Sequence, residues 1–357
     1  MTTRVPISRR TMLFVLHPVF ALTGVADAIA GPMLPSLARV FHLSDSESGV
    51  LLFCLFAGMA VGALLCRGNC ARILARGLLA MAITCAAFPW VPRSLLFPFG
   101  FFLGAGIGAP MTAISLFIGR NYPARRASTL TMLNFTWSVG AMLAPLFAAR
   151  ILAVSSWSTV YLVLAGASAL AAITVYFTIR DSSEAPRTTA QATGFGNFRL
   201  VSLFALFFFL EVGMESTFGA WISTYVLRTA RTAVTFAAGA AAIYWAGFLL
   251  SRALSPLILL RIRPGRLLQI ALITALGAAT LLLVSSSLSM LAVAILLLGA
   301  ALAPIFPVAL AAFFDRARHS SDSRFVLAVS GFGGSVFPGL VGWISSYSGS
   351  LRTGLIA

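Results

Sequence analysis

The chain has 357 residues, of which 59% are hydrophobic and 10% charged. Soluble domains carry about a quarter charged residues, and no soluble core of this size hides so much apolar surface, so a bilayer must take it up. The net charge of +16 comes from 25 arginines and no lysine, dispersed singly and in threes without interleaved aromatics, a pattern that excludes a nucleic-acid groove.

The N-terminal segment Met1–Arg10 carries Arg4, Arg9 and Arg10 ahead of an apolar run reaching Val40. That run exceeds the 7–15 apolar residues of a cleaved signal, so it reads as a retained first span. Further runs long enough to cross a bilayer follow at Gly49–Cys66, Ile73–Val91, Leu95–Ile118, Ala127–Ala149 and Val160–Ile179. The Ser/Thr/Pro/Gly-rich stretch Asp181–Asn197 then reads as a linker. Beyond it lie Leu200–Leu227, Ala233–Leu260, Leu267–Val284, Leu288–Phe314 and Phe325–Ser345, which brings the count to eleven. A twelfth span would begin near Arg352, where the chain stops at Ala357; a truncated polypeptide and a naturally absent helix both fit. The predicted division is residues 1–180 as a six-helix bundle, 181–198 as a cytoplasmic linker and 199–357 as a five-span second bundle.

Arginine placement tests this count. With the N-terminus in the cytoplasm, eighteen arginines fall in inside segments, three to each, and six fall outside, leaving Arg252 alone within a span. Such a bias is the positive-inside pattern. It predicts a multi-pass protein of a bacterial-type inner membrane with its N-terminus and linker cytoplasmic.

Three short matches suggest duplication, which in transporters survives as weak internal symmetry. GALLCR (Gly62–Arg67) resembles GFLLSR (Gly247–Arg252); LGAGIGAP ending at Pro110 resembles LGAALAP ending at Pro304; and Gly140 stands five residues before Pro145 as Gly333 does before Pro338. These pair spans 2, 4 and 5 with spans 8, 10 and 11. Small residues also let membrane helices pack closely, and the prolines supply bends.

RRASTLTMLNFTWSVGA (Arg125–Ala141), FFLEVGMESTFGAWIST (Phe208–Thr224), LAPIFP (Leu302–Pro307) and SGFGGSVFPGLVGWIS (Ser330–Ser345) resemble one branch of the major facilitator superfamily, the fucose–proton symporter-like permeases and related glucose transporters. The resemblance implies an all-α polytopic fold of two six-helix bundles related as parallel repeats, here with eleven spans and the twelfth helix missing. It further implies a secondary active transporter working by alternating access. The superfamily's usual loop acid between spans 2 and 3 is absent from RGNCARILARG, and the fucose permease's acids on spans 1 and 4 would fall near Gly31 and Ala109. Fucose specificity is therefore not implied.

Charge within a span costs at least about 2.5 kcal/mol on insertion scales and marks function by default. Of nine acidic residues, only Asp27, Glu211 and Glu215 fall within spans, and these are the candidates for proton or sodium coupling. Glu211 and Glu215 share a helix face, and two carboxylates so close in a low dielectric resist ionising together. Hydrogen bonding to a neighbouring helix is the purely structural alternative for each. Arg252 and its repeat mate Arg67 are the candidate gating residues at the cytoplasmic end. Recognition of a sugar-like solute needs hydrogen-bonding groups and flat apolar surface, for which Asn134 and Trp137, three apart on span 5, stand with Trp221, Tyr244 and Trp245. Since Tyr244 and Trp245 are adjacent, one of them must turn away from the solute. His17 reads as structural, and Cys66 and Cys70 lack the second pair a metal site needs. No G-x4-GK[ST] loop, HExxH or Ser/His/Asp set occurs, so neither an enzyme nor a cofactor is expected. The expected protein is a monomer in the lipid bilayer that moves a small polar solute, with export of amphipathic compounds, a lipid or a peptide as the rival reading.

Overall fold

A computed structural model describes residues 9–66, 69–121, 126–179, 197–314, 316 and 320–357. Within the described residues the chain is helical throughout, without strands. The first apolar run is two helices, α1 (Arg9–Ala28) and α2 (Ala30–Val40), which meet at an angle of 43°. Pro32 explains the bend: it has no N–H to donate to the carbonyl of Ala28, four residues back. The remaining spans of the first half are α3 (Asp45–Leu64), α4 (Cys70–Ala87), α5 (Leu96–Asn121), α6 (Arg126–Val154) and α7 (Trp157–Thr178). In the second half come α8 (Phe198–Thr229), α9 (Val234–Leu259) and α10 (Pro264–Val284). The tenth span is α11 (Leu288–Leu302) followed by α12 (Ile305–Phe314), interrupted at Pro304, and the eleventh is α13 (Ser320–Ser348). Ten helical segments, α11–α12 counted as one, and the bent α1–α2 pair are thus long and apolar enough to span a membrane among the described residues.

Ser44 starts α3 with a full capping box, its hydroxyl accepting from the Glu47 backbone while Glu47 reaches back to the Ser44 N–H. Most other spans have no such cap, and their stability comes from packing. In lipid that packing is van der Waals contact between close backbones rather than expulsion of water. Large side chains such as Phe102, Leu170, Phe177, Ile273 and Leu276 stay exposed, as expected of faces turned to acyl chains.

The helix contacts repeat between halves. Span 1 packs on span 5 (α1 on α6), as span 7 packs on span 11 (α8 on α13). Spans 2 and 4 (α3, α5) pack as spans 8 and 10 do (α9, α11). The glycines flagged by the sequence repeat sit at these contacts. A Cβ on Gly62 would run into the backbone of Ala105, and one on Gly247 into the Leu296 carbonyl; a Cβ on Gly140 would strike Ala21, and one on Gly333 would strike Phe209. Because the offset is six spans, an even number, paired helices run in the same direction and the repeats are parallel.

Two long seams join the halves, span 2 against span 11 (α3 on α13) and span 5 against span 8 (α6 on α9), and α2 of span 1 also packs on α8 and α9. A rotation exchanging the halves converts one seam into the other, so the pseudo-two-fold axis runs between them. After α13, Gly349 takes a φ of 70° and the short helix α14 (Leu351–Ile356) turns back onto α13 and α10. Where α4 is covered by α7, the α10 face with Ile270, Ile273 and Leu276 remains exposed.

Candidate functional site

A cavity of about 260 Å³ lies between the halves. Its wall takes Asp27, Ala28, Ala30 and Gly31 from the α1–α2 bend, Phe56 and Met59 from α3, and Trp137 from α6. From the second half come Glu215, Ser216 and Gly219 of α8, Trp245 of α9, and Gly331 and Gly334 of α13. Span 1 and span 7, equivalent by the repeat, therefore each present one carboxylate to a shared space.

Backbone adds to this polarity through proline. Pro32, Pro35 and Pro338 each deprive the carbonyl four residues earlier of its helical donor, which frees Ala28, Gly31 and Gly334. All three residues line the cavity. Small side chains there let the helices come together: a Cβ on Gly31 would meet the Gly219 carbonyl.

The two indoles form the cavity's aromatic corner. Trp137 and Trp245 meet edge to face with ring centroids 5.7 Å apart, one from each half across the α6–α9 seam. They are only 8% and 7% exposed, yet neither indole N–H has an acceptor among the described residues. Buried donors are almost always satisfied, so two unpartnered N–H groups at one corner of the cavity are unusual.

The other residues singled out from sequence take different places. Trp221 is fully buried and donates to the Pro338 carbonyl at 3.1 Å, a bond that ties α8 to α13 behind the cavity. Tyr244 is also fully buried, its hydroxyl donating to the Glu215 backbone carbonyl at 3.3 Å. Of the adjacent aromatics it is Trp245 that lines the cavity and Tyr244 that turns away, as their neighbouring positions require. Asn134 lies on an exposed part of α6 and is not among the lining residues. Glu211 is 1% exposed, one turn from Glu215, and outside the lining; neither of its carboxylate oxygens has a hydrogen-bond partner among the described residues. Arg252 crosses the α6–α9 seam, donating to the Ser138 hydroxyl at 3.3 Å with its guanidinium 4.4 Å from the Phe248 ring centroid. Arg67 lies outside the described residues. His17 bonds Thr136 at 2.8 Å, joining α1 to α6, and none of the four cysteines is in a disulfide. No cluster of three metal-ligating side chains occurs among the described residues.

Sequence reasoning passed over Ser216, Phe56 and Met59, and it counted Asp45 and Arg228 as ordinary loop charges. For the freed carbonyls a signal was present, in prolines placed four residues after small residues.

Comparisons with known proteins place this geometry. Residues 16–338 match the family model of the Major Facilitator Superfamily. A glucose/galactose transporter of Brucella abortus is 26% identical over 263 residues, an alignment covering 66% of this chain and 63% of that protein; the chain thus matches less than two thirds of that relative's length. Among solved structures, a bacterial homologue of the human lysosomal transporter Spinster superposes with a TM-score of 0.75 at 20% identity, covering 95% of this chain and 82% of the other. The Escherichia coli fucose:proton symporter superposes with a TM-score of 0.64 at 16% identity, covering 97% and 94%.

Proposed function

The chain belongs to the major facilitator superfamily, and from that premise we propose that it is a secondary active transporter of a small polar solute, a sugar above all, coupled to protons or sodium. The observation that carries this reading is the meeting of Asp27 and Glu215, from opposite halves, on one cavity beside the unsatisfied indole donors of Trp137 and Trp245. A polyol suits such a wall. Its hydroxyls donate to carboxylates and freed carbonyls, its oxygens accept from the indoles, and its apolar ring face lies against Trp137, Trp245 and Phe56. An all-aromatic cavity would suit amphipathic compounds, whereas carboxylates among the aromatics favour a polar solute. The sugar-transporting relative in Brucella points the same way.

In this reading residues 1–180 and 199–357 rock about the cavity, exposing it to each side of the membrane in turn. Asp27 and Glu215 take up the coupling ion when water reaches them and release it on the other side, since the free energy of a carboxylate depends steeply on its hydration. Glu211, behind Glu215, supports it rather than meeting the solute. Arg252, at the α6–α9 seam, acts in gating. The arginine distribution supports a cytoplasmic N-terminus in a bacterial-type inner membrane, with the chain acting as a monomer.

The test is a thermal-stability screen of purified protein against hexoses, pentoses, amino acids and amphipathic drugs, followed by uptake of the stabilising compound into proteoliposomes. Stabilisation by a sugar that Trp137→Phe weakens supports the proposal. Stabilisation by amphipathic compounds alone overturns it.

A further inference from the structure

The strongest polar contacts between the halves lie not in the cavity but at one end of the α3–α13 seam. Asp45, the first residue of α3, receives both guanidinium nitrogens of Arg228, at 2.6 and 2.5 Å, and the hydroxyl of Ser345 at 2.5 Å. Arg228 closes α8 and Ser345 lies near the end of α13. One carboxylate of the first half thus binds two helices of the second. Beside it, the Ser46 N–H donates to the Ser346 hydroxyl at 2.6 Å.

Exposed ion pairs contribute little as a rule. This one departs from the rule in geometry: it is bidentate, which strengthens an Arg–carboxylate pair, and Asp45 is only 14% exposed against 47% for Arg228. A second ion pair among the described residues, Arg93 with Glu47 at 2.5 Å, lies wholly within the first half.

Beneath the pair the seam is shut by backbone. Gly49 abuts Gly339 and Gly342, and Gly342 abuts the Asp45 carbonyl. Along α13 the contact stripe continues to Gly331 against Ala60, passing the fully buried Ser335. Asp45 lies eleven residues, about 16 Å of helix, from Phe56 on the cavity wall. Opening the cavity toward this end requires α3 and α13 to part, and they cannot part without breaking the Asp45 contacts.

We propose that Asp45, Arg228 and Ser345 form an inter-half latch that holds this end of the transporter shut, so that its strength sets how the protein divides its time between its two access states. The latch rests on the alternating-access reading but not on the identity of the solute or ion, and its test needs neither. The four native cysteines are replaced by alanine and Ser335 by cysteine (Ser335→Cys), and labelling of that thiol by a water-soluble maleimide is followed on purified protein. Ser335 is inaccessible while the seam is closed, so the labelling rate reads the open population.

Arg228→Ala and Asp45→Asn should each speed labelling about tenfold, a shift of about 1.4 kcal/mol in the open–closed balance. Arg93→Ala should leave it unchanged. The exchange Asp45→Arg with Arg228→Asp should restore slow labelling. A parallel form retaining only Cys85, which is buried in the first half, should label at one rate in all variants, which separates seam opening from general loosening. Should the charge variants fail to fold, Ser345→Ala decides: removing the serine's hydrogen bond to Asp45 should still speed labelling of Ser335→Cys but not of Cys85. Equal labelling across the variants, Ser345→Ala included, overturns the latch.

Discussion

Neutralising a cavity carboxylate should uncouple the transporter without stopping it. Asp27 and Glu215 line the cavity and Glu211 does not, so the prediction separates the three acids within the spans. Carrying an uncompensated carboxylate through a closed state costs at least about 2.5 kcal/mol on insertion scales, which slows reorientation on the order of 70-fold. On the proposed coupling, the ion-loaded carrier turns over and the bare one does not. One proton moving down a gradient of one pH unit supplies about 1.36 kcal/mol, enough for about tenfold accumulation of solute; two protons would give about a hundredfold. The assay is uptake of the sugar found by the stability screen into proteoliposomes, with an imposed pH gradient and, in parallel, a tenfold sodium gradient of equal driving force. Asp27→Asn and Glu215→Gln should bring the accumulation ratio to about one while exchange of labelled for unlabelled solute persists. Glu211→Gln should retain uphill transport. Full accumulation in both Asp27→Asn and Glu215→Gln would refute the reasoning and leave these acids as structural hydrogen-bond partners.

Trp137→Phe and Trp245→Phe keep the aromatic surface but remove an unsatisfied donor, so each should weaken sugar binding by roughly 5- to 10-fold, about the worth of one hydrogen bond, read by calorimetric titration. Trp221→Phe should leave affinity unchanged and lower the Tm, because its indole serves the Pro338 carbonyl rather than the cavity. Gly140→Val and Gly333→Val, equivalent by the repeat, should both abolish monodisperse protein on size-exclusion chromatography, since a Cβ at either strikes the backbone of the facing helix. Gly166→Ala and Gly277→Ala meet nothing within 4 Å and should raise stability by up to about 1 kcal/mol, through helix propensity alone.

The spans and their duplication were legible because a bilayer leaves few ways to write a helix: long apolar runs, arginines on one side, and glycine where backbones touch. Gly62 with Gly247 and Gly140 with Gly333 announced equivalent contacts before any partner was known. Asp27, Glu215, Trp137 and Trp245 stood out because carboxylates and tryptophans are sparse in such spans, with six tryptophans in the whole chain. What sequence did not give is which side of a helix faces the cavity. Asn134 and Trp137 are three apart, yet the residue one turn along is exposed while Trp137 is buried. The α1–α2 bend was hidden in a run that merely looked long. Asp45, Arg228 and Ser345 were invisible for a different reason: separations of 183 and 300 residues leave no periodic trace, and a charge at a helix end reads as solvated until its partner is seen.

The pseudo-symmetry explains why the chemistry divides as it does. Contacts between backbones obey the two-fold relation, so the α3–α13 and α6–α9 seams are equivalent as scaffolds. Their polar groups are not. One seam carries a bidentate ion pair at its end, held by Asp45 and Arg228. The other carries the edge-to-face indoles and Arg252, whose hydrogen bond across the seam among the described residues goes to the neutral Ser138 hydroxyl. A hydrogen bond to a neutral hydroxyl is weaker than a charge-assisted pair, so the two seams resist opening unequally although their backbones match. On the alternating-access proposal, duplication supplies matching scaffolds for movement in either direction, and the unequal side chains laid on them are expected to give the cycle a preferred resting state.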